Sequence, residues 1–293
     1  MRDFKAEATD AYRLCTIANG WVERFGQDIL ISFKDQVGRE RLTTGFSLWA
    51  KAMGFATQRI FERFLPKRNE EREAPRLIRG DSNSSPRTIV MERSLRYEVD
   101  FSGGYSVGLF VDQRENRSFV RKAASERLLN CFAYTCSFSV AGAIGGARTV
   151  SVDLSQKSLE RGRQNFALNN LAAIGHQFIA DDVFDVLPRL ARKGEKFDLI
   201  VLDPPTFSRS HRGKMFKVQS NFETLLGEAL EVADRDARIL LSTNCAALNR
   251  RALEVMARFC LKASRRAGTF HSEPGPRDFR PASAAHSIWL TLR

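Results

Sequence analysis

Several features that define other classes of protein are missing from this sequence. Its 293 residues contain no apolar run of about 18 residues, which a membrane-spanning helix requires. The first residues, MRDFKAEATDAYRL, contain no apolar stretch like that of a secretion signal. Five cysteines form no CxxC pair and leave an odd count, as expected of reduced thiols. We therefore predict a cytoplasmic protein with no membrane partner and no metal site.

The charge is strongly one-sided. Lys and Arg number 46 and Asp and Glu 34, which gives a net charge of +12. Residues 206–293 alone contain 15 basic and 8 acidic side chains. A basic field attracts polyanions and speeds their association, so the charge favours a nucleic-acid partner such as RNA. A basic surface that serves solubility alone is the alternative.

The first part of the chain predicts a small α+β domain at residues 1–94. A strand is expected at residues 29–33, and a helical pattern of apolar residues extends from Phe46 to Leu65, where Pro66 ends it. Residues 66–87 are polar and interrupted by proline, which indicates an exposed connection or a charged hairpin edge. Residues 96–101 alternate polar and apolar before Gly103 and Gly104, a pattern typical of a hairpin.

From about residue 128, short apolar strands alternate regularly with helical segments, which predicts a doubly wound α/β sheet. Two more strands follow, near residues 269–271 and 287–291. Seven strands with a terminal pair favour a Rossmann-like class I methyltransferase dependent on S-adenosylmethionine (SAM), in a domain of residues 95–293. The predicted pairs of strand and helix are 128–132 with 137–147, 149–154 with 155–170, 176–182 with 183–193, 197–203 with 221–234, and 237–244 with 247–266.

Three of the predicted strands end in an acidic residue. Because ligands of such sheets bind beyond the carboxyl ends of the strands, these carboxylates are candidate cofactor ligands. Asp153 is placed to accept both hydroxyl hydrogens of a ribose, and Asp182 to accept the amino group of adenine. The alternative for such a residue is a helix cap, and Asp182 precedes a predicted helix. The first turn, residues 133–138, lacks GxGxxG, which argues against a nicotinamide cofactor.

The fourth strand ends in Asp203-Pro204-Pro205-Thr206-Phe207. Consecutive prolines cannot continue a helix or donate to a sheet, so they fix a rigid extended turn. We expect Asp203 to accept a hydrogen bond from a base and Phe207 to stack on its face, beside Pro204 and Pro205. An ordinary proline-rich loop is the alternative.

The segment around this turn resembles the bacterial 23S ribosomal RNA methyltransferases that carry an Asp-Pro-Pro-x-Phe motif. The likeness covers roughly residues 95–293, with a looser likeness at residues 12–33. The matching segments are GLFVDQRENR (108–117), LLNCFAYTCSFSVAGAIGGA (128–147), SVDLSQKSLERGRQN (151–165), DDVFDVL (181–187) and FDLIVLDPPTF (197–207).

The resemblance implies SAM as the cofactor and 23S rRNA, free or in an assembling large subunit, as the partner. The chain departs from the family pattern at Cys136, where glycine is usual. A side chain there is expected to narrow the turn that contacts the cofactor. The residues that it implies around SAM are Gln113, Arg114, Tyr134, Thr135, Cys136, Ser137, Asp153, Leu154, Asp182, Val183 and Asp203.

Two basic segments are candidates for contact with RNA phosphates. The loop of residues 208–214 follows the proline turn directly and carries Arg209, Arg212 and Lys214. The helix after residue 247 is expected to carry a basic face, with a solvated polar face as the alternative. Its basic residues, Arg251, Arg258, Lys262 and Arg265, are predicted to point away from an apolar face of Leu248, Val255, Phe259 and Ala263.

The modified base is left open between two branches of the family. Cys245 aligns with the nucleophile of the 5-methylcytosine branch, in which a thiolate attacks carbon 6 and activates carbon 5. Residues 276–290 and 216–219 look more like the 7-methylguanine branch, in which Cys245 would only fill space. We favour cytosine slightly. Rival classes are a DNA adenine methyltransferase, and a non-catalytic RNA-binding or assembly factor that has kept the fold.

Overall fold

The computed structural model describes residues 2–66, 71–123, 126–209, 215–245, 247–280 and 284–293. The chain forms two compact units: unit 1 is Met1–Val111 with Pro276–Ala282, and unit 2 is Asp112–Gly275 with Ser283–Arg293. The domain boundary predicted after residue 94 lies in the turn of a hairpin, and both strands of that hairpin belong to unit 1. Across the described ranges, no helix is both long and apolar enough to span a membrane.

Unit 1 is built on a five-stranded sheet whose strands lie in chain order, β1 to β5. β3 and β4 are parallel, so the chain must cross over between them, and helix α2 makes that crossover. α2 buries Leu42 and Phe46 against Val22, Ile29 and Ile31 of the sheet. The elements are α1 Arg2–Ala6, β1 Ala11–Ile17, β2 Gly20–Phe25, β3 Asp28–Phe33, α2 Gln36–Ala52, β4 Arg59–Phe64, β5 Arg76–Arg79, β6 Arg87–Glu92 and β7 Leu95–Asp100.

The helix predicted from residue 46 to residue 65 is wrong in both position and extent. α2 begins earlier because the Asp35 side chain caps it by accepting from the Gly38 amide at 2.7 Å. It ends before Gly54, which adopts a left-handed φ of 59°. The apolar residues beyond Gly54, among them Ile60 and Phe61, form β4 instead, since a short apolar run suits a strand as well as a helix.

The hairpin predicted near Gly103 and Gly104 forms with the preceding strand instead. β7 pairs with β6, and the two residues between them are Arg93 and Ser94, with φ of 49° and 69°. Such turns usually use Asn-Gly or Gly-Gly, so nothing in the sequence marked this one. Residues 66–87, predicted as a connection or hairpin edge, contain the edge strand β5, which pairs with β4.

A segment distant in sequence completes unit 1. The Asp278 carboxylate accepts the amide of Arg13 at 2.8 Å, and the Phe279 ring centroid lies 3.9 Å from the Arg13 guanidinium carbon. Trp21 stacks on the same guanidinium at 4.6 Å. Arg13 also forms a buried ion pair with Glu23 at 2.9 Å, so this cation is enclosed by two rings and a carboxylate.

Unit 2 contains a seven-stranded sheet in the order β10-β9-β8-β11-β14-β16-β15. β16 pairs antiparallel with β14 and β15, whereas the other neighbouring strands of the sheet pair in parallel. After a 3-10 turn at Val111–Gln113, the elements are α3 Arg114–Ala123, β8 Arg127–Cys131, α4 Ser137–Ile144, β9 Arg148–Asp153, α5 Gln156–Leu168, β10 Gln177–Ala180, α6 Val183–Arg192, β11 Phe197–Leu202, β12 Phe207–Arg209, β13 Met215–Lys217, α7 Val218–Val232, β14 Ala233–Thr243, α8 Arg250–Ala263, β15 Gly268–His271 and β16 His286–Leu292.

This arrangement confirms the predicted α/β fold with seven strands. The central strands β8 and β11 are almost entirely buried, as apolar runs covered on both faces should be. The strand order reverses between β8 and β11, and the connections after both strands open at the same carboxyl edge. A ligand of a doubly wound sheet binds at this reversal.

Candidate active site

The turn after β8 has a backbone that bends three times into the left-handed region. Phe132, Tyr134 and Cys136 have φ of 59°, 48° and 59°, a conformation that side chains other than glycine adopt at a cost of about 1–2 kcal/mol each. Asn165 of α5 holds the turn from one side by donating to the Thr135 carbonyl at 2.9 Å. A strained backbone that its surroundings fix in this way is typical of ligand-binding turns.

Asp153, at the end of β9, holds the same turn from the other side. One carboxylate oxygen accepts the Tyr134 amide and the other the Ser155 amide, both at 2.8 Å. Burial raises the pKa of Asp153, while the two backbone hydrogen bonds act in the opposite direction. Each oxygen has a second lone pair, so the carboxylate can bind the turn and still accept hydroxyl hydrogens.

The expectation that the Cys136 side chain narrows the turn is wrong. The thiol is fully buried and packs towards Gly162 of α5, where an added Cβ would lie 2.4 Å from the Cys136 sulfur. Gly162 therefore makes the space that this cysteine needs. Burial raises the pKa of Cys136 to about 12, so it stays a neutral thiol at physiological pH.

The third strand end serves as a helix cap. Asp182 accepts the Phe184 amide at 3.0 Å and begins α6, which is the alternative that the sequence left open. Val183 next to it is buried, and Leu154, after β9, is half-buried. The cap occupies one oxygen of Asp182, and within the described ranges the other oxygen accepts no hydrogen bond.

Asp203, at the end of β11, belongs to a buried polar network. Gln113 donates to an Asp203 oxygen at 3.3 Å and to the Ser242 hydroxyl at 2.7 Å. Burial, with a smaller contribution from nearby Asp112, raises the pKa of Asp203 to about 6, although Ser242 and Arg117 act in the opposite direction. A half-buried carboxyl with this pKa changes its charge close to neutral pH, as groups that handle protons do.

The network continues through residues that the sequence did not indicate. Asn116 of α3 donates to the Gln113 side-chain oxygen at 2.8 Å and to Ser287 at 3.1 Å. It also accepts from the Trp289 indole at 3.1 Å. The sequence signal for this network is a polar residue within an otherwise apolar strand, but the residues concerned come from distant parts of the sequence. Together they fix the Gln113 amide opposite Asp203.

Arg114, predicted beside the methionine end of SAM, is 1% exposed at the start of α3. Its Nε lies 3.7 Å from the Glu115 carboxylate. Among the turn residues, Thr135 is buried and Tyr134 half-buried, and Ser137 begins α4. All of these residues lie at the carboxyl edge of the sheet or in the segment leading to it.

The proline turn leads into a short hairpin. Pro204 is buried, Pro205 is exposed, and the Phe207 side chain is 50% exposed at the start of β12, which pairs with β13. An exposed aromatic ring offers a flat face to a base, as predicted for Phe207. Arg209 ends β12, and its side chain lies outside the described residues, as do Arg212 and Lys214.

No sequence pattern indicated a role for Phe216, which lies on the opposite strand of this hairpin. Phe216 is buried, and its ring centroid lies 5.6 Å from that of Phe132 and 5.7 Å from that of Phe184. This aromatic cluster joins the turn after β8, the start of α6 and the hairpin. It forms an apolar wall at the edge where the carboxylates gather.

Cys245 follows β14, next to the strand that ends at Asp203. Its amide donates to the Thr243 hydroxyl at 3.1 Å, and its carbonyl accepts the Leu248 amide at 2.9 Å. The side chain is 7% exposed and belongs to the large apolar cluster of unit 2. Among the described residues, no group of three or more His, Cys, Asp or Glu side chains could hold a metal ion.

The predicted apolar face of the helix after residue 247 is wrong. α8 buries Leu253, Ala257, Cys260 and Leu261, whereas Val255 is 61% and Phe259 63% exposed. The two exposed apolar residues share the outward side with Arg251, Arg258 and Lys262, which are also exposed. The helix begins later than predicted, because Asn249 caps it by accepting the Ala252 amide at 3.0 Å, and Leu248 therefore precedes the helix.

The fold and this site define a class. Residues 38–260 match the S-adenosylmethionine-dependent methyltransferase family, and the chain belongs to that family. Its cofactor is SAM, as predicted. The structure also superposes on SMU.776, whose crystal structure contains S-adenosylhomocysteine, with a TM-score of 0.88 and 24% identity. The match covers 100% of this chain and 78% of that one, and it supports the shared fold.

Relatives in sequence narrow the class. The chain is 42% identical over 156 residues to ribosomal RNA large subunit methyltransferase I of Aeromonas salmonicida. This match covers 52% of this chain and 39% of the relative. It is 34% identical over 211 residues to the Bacillus subtilis protein YwbD, which is named as a candidate large-subunit ribosomal RNA methyltransferase. This match covers 71% of this chain and 53% of the relative. The matched part of the chain thus spans about half the length, or less, of these relatives.

Proposed function

We propose that this protein transfers a methyl group from SAM to a base of 23S ribosomal RNA. Support comes from the family and from two relatives named for methylation of large-subunit rRNA. The net charge of +12 suits an RNA partner. The protein would act in the cytoplasm, where rRNA is made and assembled.

The chemistry of the residues at the carboxyl edge fits SAM. Asp153 would accept the ribose hydroxyls, and the turn held by it would lie along the cofactor. The apolar wall around Phe216 suits a flat adenine ring, with Asp182 at its rim. When bound, SAM supplies an electrophilic methyl group.

The atom that we favour as acceptor is carbon 5 of cytosine, with Cys245 as the nucleophile. The observation that carries this choice is the thiol at the end of β14, the strand beside Asp203. The Cys245 thiolate would add to carbon 6, and the electron pair of the 5,6 double bond would move onto carbon 5. That pair would form the bond to the methyl group. Loss of the carbon-5 proton would then return electrons to the ring and expel the thiolate.

Asp203 would act at nitrogen 3 of the same ring. Negative charge spreads from carbon 5 to nitrogen 3 when the thiolate adds, and a carboxyl with a pKa of about 6 can hold a proton there. Gln113 and Ser242 would orient that carboxyl. Phe207, exposed beside the proline turn, would stack on the base.

The test uses rRNA that contains 5-fluorocytosine, because fluorine at carbon 5 cannot leave as a proton and the adduct should persist. The wild-type protein with SAM should form a covalent complex that survives denaturing electrophoresis. Cys245→Ala should lose both the complex and methylation, whereas Cys260→Ala, the control for another buried thiol, should keep both. Full methylation by Cys245→Ala would reject this mechanism.

Guanine nitrogen 7 is the second candidate. It is favoured by the burial of Cys245 within the apolar cluster, which suits a packing role, and by the likeness of residues 276–290 to the guanine branch. Nitrogen 7 has an exposed lone pair and needs no covalent help. Mass spectrometry of the nucleosides from methylated rRNA separates the candidates by product: 5-methylcytidine or 7-methylguanosine. Methylation of duplex DNA adenine instead would overturn the RNA assignment, and absence of SAM binding would indicate a non-catalytic factor.

A further inference from the structure

The outward side of α8 carries a stripe of mixed chemistry, which we call the α8 stripe. It consists of Arg251, Val255, Arg258, Phe259 and Lys262, all exposed. These positions repeat at the three- and four-residue spacing that places side chains on one face of a helix. From Arg251 to Lys262 the stripe is about 16 Å long, at 1.5 Å per residue.

The charge of this helix is one-sided. Residues 250–265 contain five Lys or Arg residues and one acidic residue, Glu254. Glu254 pairs with Arg258 at 2.6 Å, and the Arg258 guanidinium also lies 4.8 Å from the Phe270 ring centroid. Within the described part of the chain, neither Arg251 nor Lys262 pairs with an acidic side chain. Positive charges on both sides of an exposed aromatic ring are complementary to the negative charges of a polyanion.

We propose that the α8 stripe binds unpaired nucleotides of the RNA substrate, with a base stacked on Phe259 and phosphates on Arg251 and Lys262. This rests on the proposed function. An exposed aromatic ring between cations is the combination that holds single-stranded nucleic acid, because every base has a flat face and every linkage a charge. A second copy of the chain is a poor occupant, since a symmetric contact would bring two strongly basic faces together.

The position of the helix connects this surface with the reaction site. Six residues separate the start of α8 from Thr243, where β14 ends at the carboxyl edge. Because the helix returns antiparallel to the strand, Arg251 lies nearer that edge than Lys262 does. A strand of RNA on the stripe would thus lead towards the edge at which Asp203 and Cys245 lie.

The first experiment tests stacking. Binding of a fluorescein-labelled oligouridylate should be about five- to hundredfold weaker for Phe259→Ala, the loss expected for one base–aromatic stack. Phe259→Trp should bind like the wild type, and Phe259→Leu, which keeps apolar volume without a flat ring, should bind as weakly as Phe259→Ala. Ile174→Ala, a matched change at an exposed apolar residue, should have no effect. The same oligonucleotide annealed to oligoadenylate should bind more weakly and respond little to Phe259.

The second experiment tests the cations. The double variant Arg251→Ala/Lys262→Ala should lower the log–log salt slope of oligouridylate binding by about 1.4, at roughly 0.7 per phosphate contact on a single strand. Arg192→Ala/Lys193→Ala removes the same charge from the far end of α6 and should leave the slope unchanged. SAM affinity, measured by calorimetry, should be the same in all variants.

Three results would overturn the inference: wild-type affinity in Phe259→Leu, an unchanged salt slope in the double variant, or a change of sedimentation coefficient that shows Phe259 to join two copies. Failure of the proposed function gives a different pattern. In that case the wild-type protein would neither bind nor methylate rRNA. If the wild type methylates rRNA and the α8 variants bind RNA equally well, only the inference fails.

Discussion

Asp203 is held where the surrounding protein disfavours its charge. Burial is the main cause of its raised pKa, and the hydrogen bond with Ser242 offsets only part of the effect. The pKa is about 6 in the folded protein against an ordinary value of 3.8. Below both values the folded and unfolded chains are equally protonated. Between them the folded chain binds more protons, so stability falls as the pH rises.

Asp203→Asn should therefore stabilise the protein without SAM at pH 7. The shift of about two pKa units corresponds to a gain of up to about 3 kcal/mol in the free energy of unfolding. The gain should shrink as the pH falls from about 6 towards 4, where the carboxyl of the wild type is neutral as well. Urea unfolding at both pH values measures it. If Asp203→Asn lowered the free energy of unfolding equally at both pH values, the charged form of Asp203 would not be destabilising.

Cys136 and Gly162 form a complementary pair of residues. Gly162→Ala should destabilise the protein by about 1–3 kcal/mol, because its Cβ would lie 2.4 Å from the Cys136 sulfur. In Cys136→Gly/Gly162→Ala the clash is gone and the left-handed position has its preferred residue, so most of the loss should be recovered. Urea unfolding of the two single variants and the double variant measures the coupling.

The control for this cycle is Gly227→Ala in α7, where an added Cβ meets nothing within 4 Å. Replacing a helical glycine in open space should stabilise the protein by about 0.5–1 kcal/mol. Simple additivity of the Cys136 and Gly162 changes would contradict the packing described here, since residues in contact should couple.

At the scale of elements, the connection from β8 to α4 depends on the end of β9. Asp153→Ala removes both the acceptor for the Tyr134 and Ser155 amides and the candidate ribose ligand. We expect SAM affinity to fall at least about tenfold, since a charged hydrogen bond contributes roughly 1.5–3 kcal/mol. Calorimetry measures it.

Asp198→Ala is the matched control for that change. Asp198 also accepts two backbone amides, those of Glu126 and Arg127, but at the opposite edge of the sheet. Its loss should reduce stability and leave SAM affinity unchanged. If both variants lose SAM affinity equally, the effect of Asp153 is one of stability and not of cofactor binding.

The strands of unit 2 could be predicted from the sequence because each is a short apolar run with a clear end. β11, for example, is FDLIVL followed by Asp203 and two prolines. Unit 1 gave fewer such signals. The run RIFERF fits a helix or a strand equally well, and only pairing with β3 decides for β4. The Arg93-Ser94 turn could not be predicted, since neither residue favours a left-handed backbone.

The candidate site was predictable where a carboxylate follows a strand, because sheet geometry brings strand ends together. Asp153, Asp182 and Asp203 were found in this way, although the role of each as a ligand stays a prediction. The chain from Gln113 through Asn116 to Trp289 was not predictable beyond Gln113. Its members are far apart in sequence and follow no periodicity, so only the folded structure joins them.

At the scale of the whole molecule, the net charge of +12 should make association with rRNA sensitive to salt. Arg209, Arg212 and Lys214 follow the proline turn in sequence and are candidates for phosphate contact. Replacing all three with alanine should lower the log–log salt slope of rRNA binding by about 2–3 units, with SAM affinity nearly unchanged. A slope equal to that of the wild type would move the phosphate contacts elsewhere on the surface.

The path of the chain determines when unit 1 can finish folding. Its strands β1 to β7 are synthesised first, but Asp278 and Phe279 follow only after almost all of unit 2, a delay on the order of ten seconds at typical rates of translation. Until then the guanidinium of Arg13 has Trp21 on one side and no ring on the other. The first strand of unit 1 therefore reaches its native contacts among the last, when Phe279 closes over Arg13.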